Sequence, residues 1–414
     1  MTLQAASRCP YSLDSTGANI QREASALRAF GPAAQVLLPG GHPAWVVTDP
    51  GLIRRLLVHP AVSKDAASHW PAYINGEVPA DWPQRIWLDV HNALTASGRE
   101  HQRLRRPLAR AFSARRIRAL VPRIEAITAE LLDDLQAVAT EEIDLRARFA
   151  WRLPLMVINE LFQTPANFHE ELHGVVGALF ATDLTREEAA AAWRRLYALI
   201  GELIDHKMRH PSDDLGTDLV AAREAGELSD QELADSFVLV LSAGHETTVN
   251  LLDQAIVSLS SHRDQLALVT SGQVSWDAAV EESLRHQAPL ANLILRFAAT
   301  DIVDERTGQR FTKGDAIVIS YAAAGRAPHI HGADADAFNV QRATSSDHLA
   351  FGYGAHLCPG SELARIEARI GLSRLFERFP DLRLTVDPDQ LRPLPSYISN
   401  GHQSLPVVLN PSGQ

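Results

Sequence analysis

Between Ser229 and His262 the chain runs without a proline, and Ser229 is followed three residues later by Glu232. That spacing is a capping box at a helix start, and the run predicts one helix of roughly 50 Å at 1.5 Å per residue. A helix that long crosses a whole domain, so the rest of the chain has to be built around it. Upstream, Leu120, Ile124, Ile127, Leu131 and Leu135 recur at spacings of three and four, and 186–208 repeats the pattern. Helical periodicity therefore dominates from Arg99 to Arg285.

The two ends of the chain read differently. Residues 34–38 and 44–47 flank Gly40-Gly41 as two strands around a turn, and Asp49-Pro50 opens a short helix through Leu57. Residues 293–298, 316–320 and 406–409 read as further short strands, and 76–87 as an irregular loop. The expectation is a mainly α fold with a small β-rich portion drawn from both ends, one domain over 1–414. Its helix-rich core spans about 99–290 and 360–380, its β-rich portion about 30–60, 290–325 and 385–410.

Composition narrows the function. With 46% apolar and 21% charged residues the chain folds and is soluble, and a formal charge of -11 disfavours nucleic acid as partner. Two cysteines, Cys9 and Cys358, exclude a disulfide framework, and no stretch reads as an export signal or membrane span. A soluble cytoplasmic protein is expected.

Four features carry chemistry. The sharpest is Phe351-Gly352-Tyr353-Gly354-Ala355-His356-Leu357-Cys358-Pro359-Gly360, directly before a helix starting near Glu362. Glycines allow close backbone approach, and the positive end of a helix dipole favours a thiolate. A metal-bound thiolate is the preferred reading over an ordinary buried cysteine. Within the long helix, Ala243-Gly244-His245-Glu246-Thr247-Thr248 places a poor helix former and two stiff residues at the centre. Either a flat ligand lies against Gly244 or another helix crosses there. Glu282 and Arg285 share a helix face, a spacing common on surface helices. Basic groups recur near turns and strands: His101 with Arg105 one turn on, Arg296, Arg342, His348 and His356. Such groups suit carboxylates.

Together these features resemble the cytochrome P450 family of haem-thiolate monooxygenases, in its soluble bacterial, actinomycete-type members. The loop 351–360 matches the haem-binding motif, 243–248 the oxygen-activation motif, and 282–285 the Glu-x-x-Arg motif, in the family's order. The likeness runs from about Gly41 to Pro406. Ser63-Lys64-Asp65 and 319–326 are similar to a subgroup with steroid- and macrolide-type hydroxylases. Ser97-Gly98-Arg99 replaces the family's common Asp-Pro-Pro, and Gly325-Arg326-Ala327 its Asn-Arg-Asp.

The resemblance implies haem b between the long helix and the cysteine loop, with Cys358 as axial ligand to the iron and Phe351 shielding it. His101, Arg105, Arg296 and His356 would hold the propionates, and Glu282, Arg285 and Arg342 would lock the loop region. Glu246 and Thr247 would be the catalytic acid–alcohol pair, supplying protons to dioxygen. Leu239, Ser242, Ala243 and Thr247, with Asn292, Ile294, Ile398 and Ser399, would line a mostly apolar substrate pocket. The implied reaction is oxygenation, by hydroxylation or oxidative tailoring, of a medium-sized apolar molecule such as a steroid, fatty acid or natural-product scaffold. Electrons would come from NAD(P)H through a ferredoxin and its reductase to a monomeric enzyme. A peroxide-dependent haem oxygenase, or a haem-binding sensor or carrier, is the alternative. A proton relay is of little use to either.

Overall fold

The computed structural model describes residues 11–79, 82–138, 141–180 and 186–410; Cys9 lies outside them. The long helix spans Asp230–Ser261, with Ser229 and Glu232 closing the capping box and His262 ending it. Helices Ala114–Gln136, Arg152–Phe162, Trp276–His286 and Ser361–Arg378 gather around it, and one core cluster joins Leu131, Leu153, Leu252, Leu284 and Leu372. Because neighbours cover it on nearly every side, its apolar residues do not confine themselves to one stripe.

The main sheet has six strands, in the order Tyr11–Ser12, Ala33–Leu37, Pro43–Val47, Ala316–Ser320, Asn292–Ala298 and Val62–Ser63. Ala33–Leu37 and Pro43–Val47 pair antiparallel around Gly40 and Gly41, whose φ of 95° and 84° only glycine adopts readily. Next to them Asp49 caps the helix Pro50–Leu57 through the Leu52 amide. The β portion thus comes from both ends of the chain, as expected. Asn292–Ala298 pairs with Ala316–Ser320 through a register shift between Leu293 and Arg296. Such irregularities redirect side chains, and this one stands beside Arg296.

One expectation needs correction, and three further elements carry no clear sequence signal. The stretch 76–87, read as irregular, carries a turn of 3-10 helix at Pro83–Arg85 and a short helix at Ile86–Asp89. Within the region where helical periodicity dominates lie also the strand Glu142–Asp144, which pairs with Pro406–Val408, and a wide π-type turn at Arg146–Ala150. Three residues are too few to show a period, and the wide turn serves contacts distant in sequence: Arg146 bonds Asn250 and Asp253. The helix Ile20–Ala29 had no sequence signal strong enough to claim it; it buries Ile20, Ala24 and Leu27. No helix among the described residues is long and apolar enough to cross a membrane.

Candidate active site

Cys358 sits where a loop becomes a helix. Its amide donates to the Phe351 carbonyl at 2.9 Å, which closes the loop, and Ser361–Arg378 starts three residues later. Gly352 and Gly354 hold φ of 78° and 74°, and a Cβ at Gly354 would stand 2.7 Å from Val58. Glycine is required there on both counts. The Cys358 thiol is free. Burial pushes its pKa up, while the Gly360 amide, Arg105 and Arg365 pull it down. The dipole argument for a thiolate is therefore only part of the balance, because burial opposes it. Arg365 stacks over the Phe351 ring at 4.5 Å and pairs with Glu281, which also holds His348. His348 is thus spent on the loop's outer support.

Beside the loop a group of basic side chains converges. The rings of His101 and His356 lie 4.0 Å apart, and Arg105 donates to the Leu357 carbonyl. Arg296 is 4% exposed, bonds Tyr321, and leaves Nη1 without a partner; His101 Nε2 is likewise buried and unpartnered. A fifth basic group, Lys64, is buried with its Nζ 2.6 Å from the Leu94 carbonyl. The sequence offered Lys64 only as part of a subgroup mark, since nothing local tells a buried lysine from an exposed one. None of the five pairs with a carboxylate among the described residues. Burial, then Lys64, His101, Arg296 and Arg105, drives the His356 pKa far down. Basic groups withdrawn from water with no carboxylate beside them are costly. A doubly negative ligand edge is what such a cluster is built to receive.

On the long helix, Leu239, Ala243, Gly244 and Thr247 keep accessible surface while Val240, Leu241, His245, Glu246 and Thr248 are buried. Spacings of four, one and three put the accessible four on one helix face. This is open surface at the middle of an otherwise packed helix, and Ile158 from Arg152–Phe162 stands beside Gly244, 3.4 Å from where a Cβ would be. Thr247 and Thr248 both return their hydroxyls to the helix, to Ala243 and Gly244 carbonyls at 2.7 and 3.2 Å. His245 turns away, its Nε2 3.0 Å from the Trp151 carbonyl.

Two expected pocket residues are held by backbone. Ser242 is buried off the open face and bonds the Val238 carbonyl, and Asn292 spends its amide on the Tyr397 carbonyl at 2.7 Å. Both polar groups are satisfied by backbone and anchor the fold. Ile294 borders a small cavity with Lys64, Trp87, Leu94 and Thr95, and Ile398 and Ser399 are half-buried. Glu282 and Arg285 are no surface pair. Both are fully buried in two 2.7 Å bonds, Arg285 also holds the carbonyls of Gly325, Ala335 and Ala337, and Arg342 reaches Glu282 at 3.4 Å.

Glu246 stands apart from its neighbour. It is buried beside Asn250, which donates to Oε1 at 3.1 Å, and Arg146 at 3.6 Å, while Oε2 has no partner. Burial pushes its pKa up to about 7, against the pull of Arg146 and Asn250 and with the help of Asp253.

A flat group with an anionic edge and a centre that takes a thiolate fits these residues together, and the fold is that of a haem-thiolate protein. The comparisons narrow this further. The cytochrome P450 family model matches residues 276–399. The 2-hydroxy-5-methyl-1-naphthoate 7-hydroxylase of Streptomyces carzinostaticus is 38% identical over 97% of this chain and 98% of its own. The solved structure of CYP154A1 from Streptomyces coelicolor A3(2) superposes with a TM-score of 0.90 at 46% identity, covering 97% and 100% of the two chains. That of testosterone-bound CYP154C4 from Streptomyces sp. ATCC 11861 gives 0.92 at 38% identity, covering 97% and 99%. The chain belongs to the cytochrome P450 family, and it is a haem-dependent monooxygenase.

Proposed function

We propose that this enzyme oxygenates a rigid, medium-sized, mostly apolar scaffold of the steroid or aromatic polyketide kind, binding it over the open face of the long helix. The observation that carries the reading is that face: Leu239, Ala243, Gly244 and Thr247 are accessible in the middle of a packed helix. Ile398 and Ser399, both half-buried, give it further walls, and Ser399 is the side chain left to orient a polar substituent. The naphthoate hydroxylase and the testosterone-bound structure support a flat polycyclic substrate.

Cys358 would supply the thiolate that holds the haem iron, and Lys64, His101, Arg105, Arg296 and His356 would hold the propionates. Bound haem supplies the redox chemistry, reducing dioxygen so that one atom enters the substrate and the other leaves as water. The protein's part is to keep water out and bring protons in. Glu246, with a proton affinity near neutrality, is matched to that work. Thr247 is the one hydroxyl of the motif on the open face, and it releases the Ala243 carbonyl to hand a proton across. Electrons come from NAD(P)H through a ferredoxin and its reductase, to a single-domain monomer acting in the cytoplasm.

Steroids, naphthoates, macrolactones and fatty acids are to be screened for a low-to-high-spin shift of the ferric haem. A shift with polycyclic ligands and none with linear fatty acids is expected; the reverse overturns the substrate class. Reduced protein with carbon monoxide should show the red-shifted Soret band of cysteinate ligation, lost in Cys358→His.

A further inference from the structure

Glu246 belongs to a buried polar network that runs away from the open face. Arg146 is shared between two carboxylates: Nη1 is 2.6 Å from Asp253 Oδ2, whereas Nη2 is 3.6 Å from Glu246 Oε1. Asn250 bridges the two sides, accepting from Arg146 at 3.1 Å and donating to Glu246 at 3.1 Å. His402, from the C-terminal segment, fastens Asp253 with Nδ1 at 2.6 Å and its backbone amide at 3.0 Å. A Cβ on neighbouring Gly401 would lie 2.3 Å from Asn250 Oδ1, so only glycine lets this segment close over the network.

The asymmetry has a consequence in charge. One guanidinium cannot neutralise two carboxylates, and the geometry gives it to Asp253. We propose that Asp253, fastened by His402, is a positioning residue of the proton relay, keeping Arg146 off Glu246 so that Glu246 remains able to hold and release a proton. This rests on the assignment of Glu246 to the relay. Other charged groups on the surrounding elements are spent elsewhere. Glu160 pairs with Arg123 at the surface, and Glu282 is closed by Arg285 and Arg342. Asp144 accepts from the amides of Arg146 and Leu405. Glu367, on Ser361–Arg378, has its proton affinity raised by burial alone. Arg146 and Asp253 are the charges left acting on Glu246.

The test follows the infrared band of the protonated Glu246 carboxyl in the holoenzyme, assigned by its loss in Glu246→Gln. Its midpoint in the unaltered protein should fall near neutral pH. Asp253→Asn removes the like charge and leaves Arg146 to Glu246, so the midpoint should drop by about one pH unit or more. Asn250→Ala removes the donor to Oε1 and should move it upward. An unmoved midpoint in Asp253→Asn overturns the proposal. Should that variant not fold, a midpoint unmoved or lowered in Asn250→Ala overturns it. Coupling of electrons to product should follow the same shift, its alkaline loss beginning about one pH unit lower in Asp253→Asn. Failure of the relay reading itself is told apart by Glu246→Gln. If its coupling is unchanged, Glu246 carries no proton for the reaction and Asp253 has nothing to position, whatever the midpoints do.

Discussion

Arg296→Met separates a ligand-binding cation from a structural one, because the two roles predict opposite effects on the haem-free protein. Arg296 is 4% exposed, one guanidinium nitrogen has no partner, and burial holds its pKa down. Lys64 lies close enough for Arg296 to lower its pKa too, after burial. Without an anion, then, the charge at 296 is a cost to the fold. With haem bound it gains a charge-assisted hydrogen bond to a propionate, a contribution of about 1.5–3 kcal/mol. Methionine keeps most of the side-chain volume and removes the charge. The haem dissociation constant should rise about 10- to 150-fold, while the haem-free protein should unfold at the same or a higher temperature. Haem transfer to an excess of a tighter-binding apoprotein, followed at the Soret band, measures the first quantity. Thermal unfolding of the haem-free variant measures the second. Arg118→Met, on the exposed side of Ala114–Gln136, removes the same charge and is the control. Equal haem affinity in the two variants would refute the reasoning, as would a haem-free Arg296→Met that unfolds several degrees early.

Thr247→Ala should retain haem and substrate binding while product per NAD(P)H falls sharply and hydrogen peroxide rises. Thr248→Ala, 4% exposed and about 100° round the helix, should change the ratio little; the opposite order would place the relay on the wrong hydroxyl. Glu282→Gln leaves Arg285 and Arg342 short of a buried carboxylate and should destabilise the protein by about 3–5 kcal/mol in urea unfolding. A loss below about 1 kcal/mol would show that the triad is not what locks this region. Glu281 is partly buried, which opposes ionisation, yet His348 and Arg365 bring its pKa down to about 2. Its folded pKa is depressed, so its contribution of about 2–3 kcal/mol is complete above the unfolded value near 4.3 and is lost as pH falls toward 2. Glu281→Gln should therefore flatten acid unfolding between about pH 5 and 2, and an unchanged acid limb would contradict the assignment.

The amino-acid sequence by itself determined what is local. Ser229 and Glu232 are three residues apart, so the capping box and the unbroken run after it state the long helix almost to the residue. The Gly40-Gly41 turn and the Asp49-Pro50 cap are legible for the same reason, since each needs only neighbours in the chain. Gly352 and Gly354 ahead of Cys358 belong with them, because their positive φ is a property of single residues. Tertiary structure decided what depends on partners far along the chain. Glu282 and Arg285 carry a spacing found on any surface helix, and only the carbonyls of Gly325, Ala335 and Ala337 closing over Arg285 make the pair buried. Lys64 joins the basic groups through Leu94 and Arg296, with nothing beside it in sequence to say so. Ser242 and Asn292, polar beside a motif and in a strand, each spend a donor on a backbone carbonyl. Glu246 and Thr247 are adjacent in sequence but lie about 100° apart on the helix. One lies on the open face and the other faces a network anchored by Arg146 and His402, residues 100 positions before Glu246 and 156 after it. A helix turns its neighbours to different surroundings, and only the packed fold says what those surroundings are.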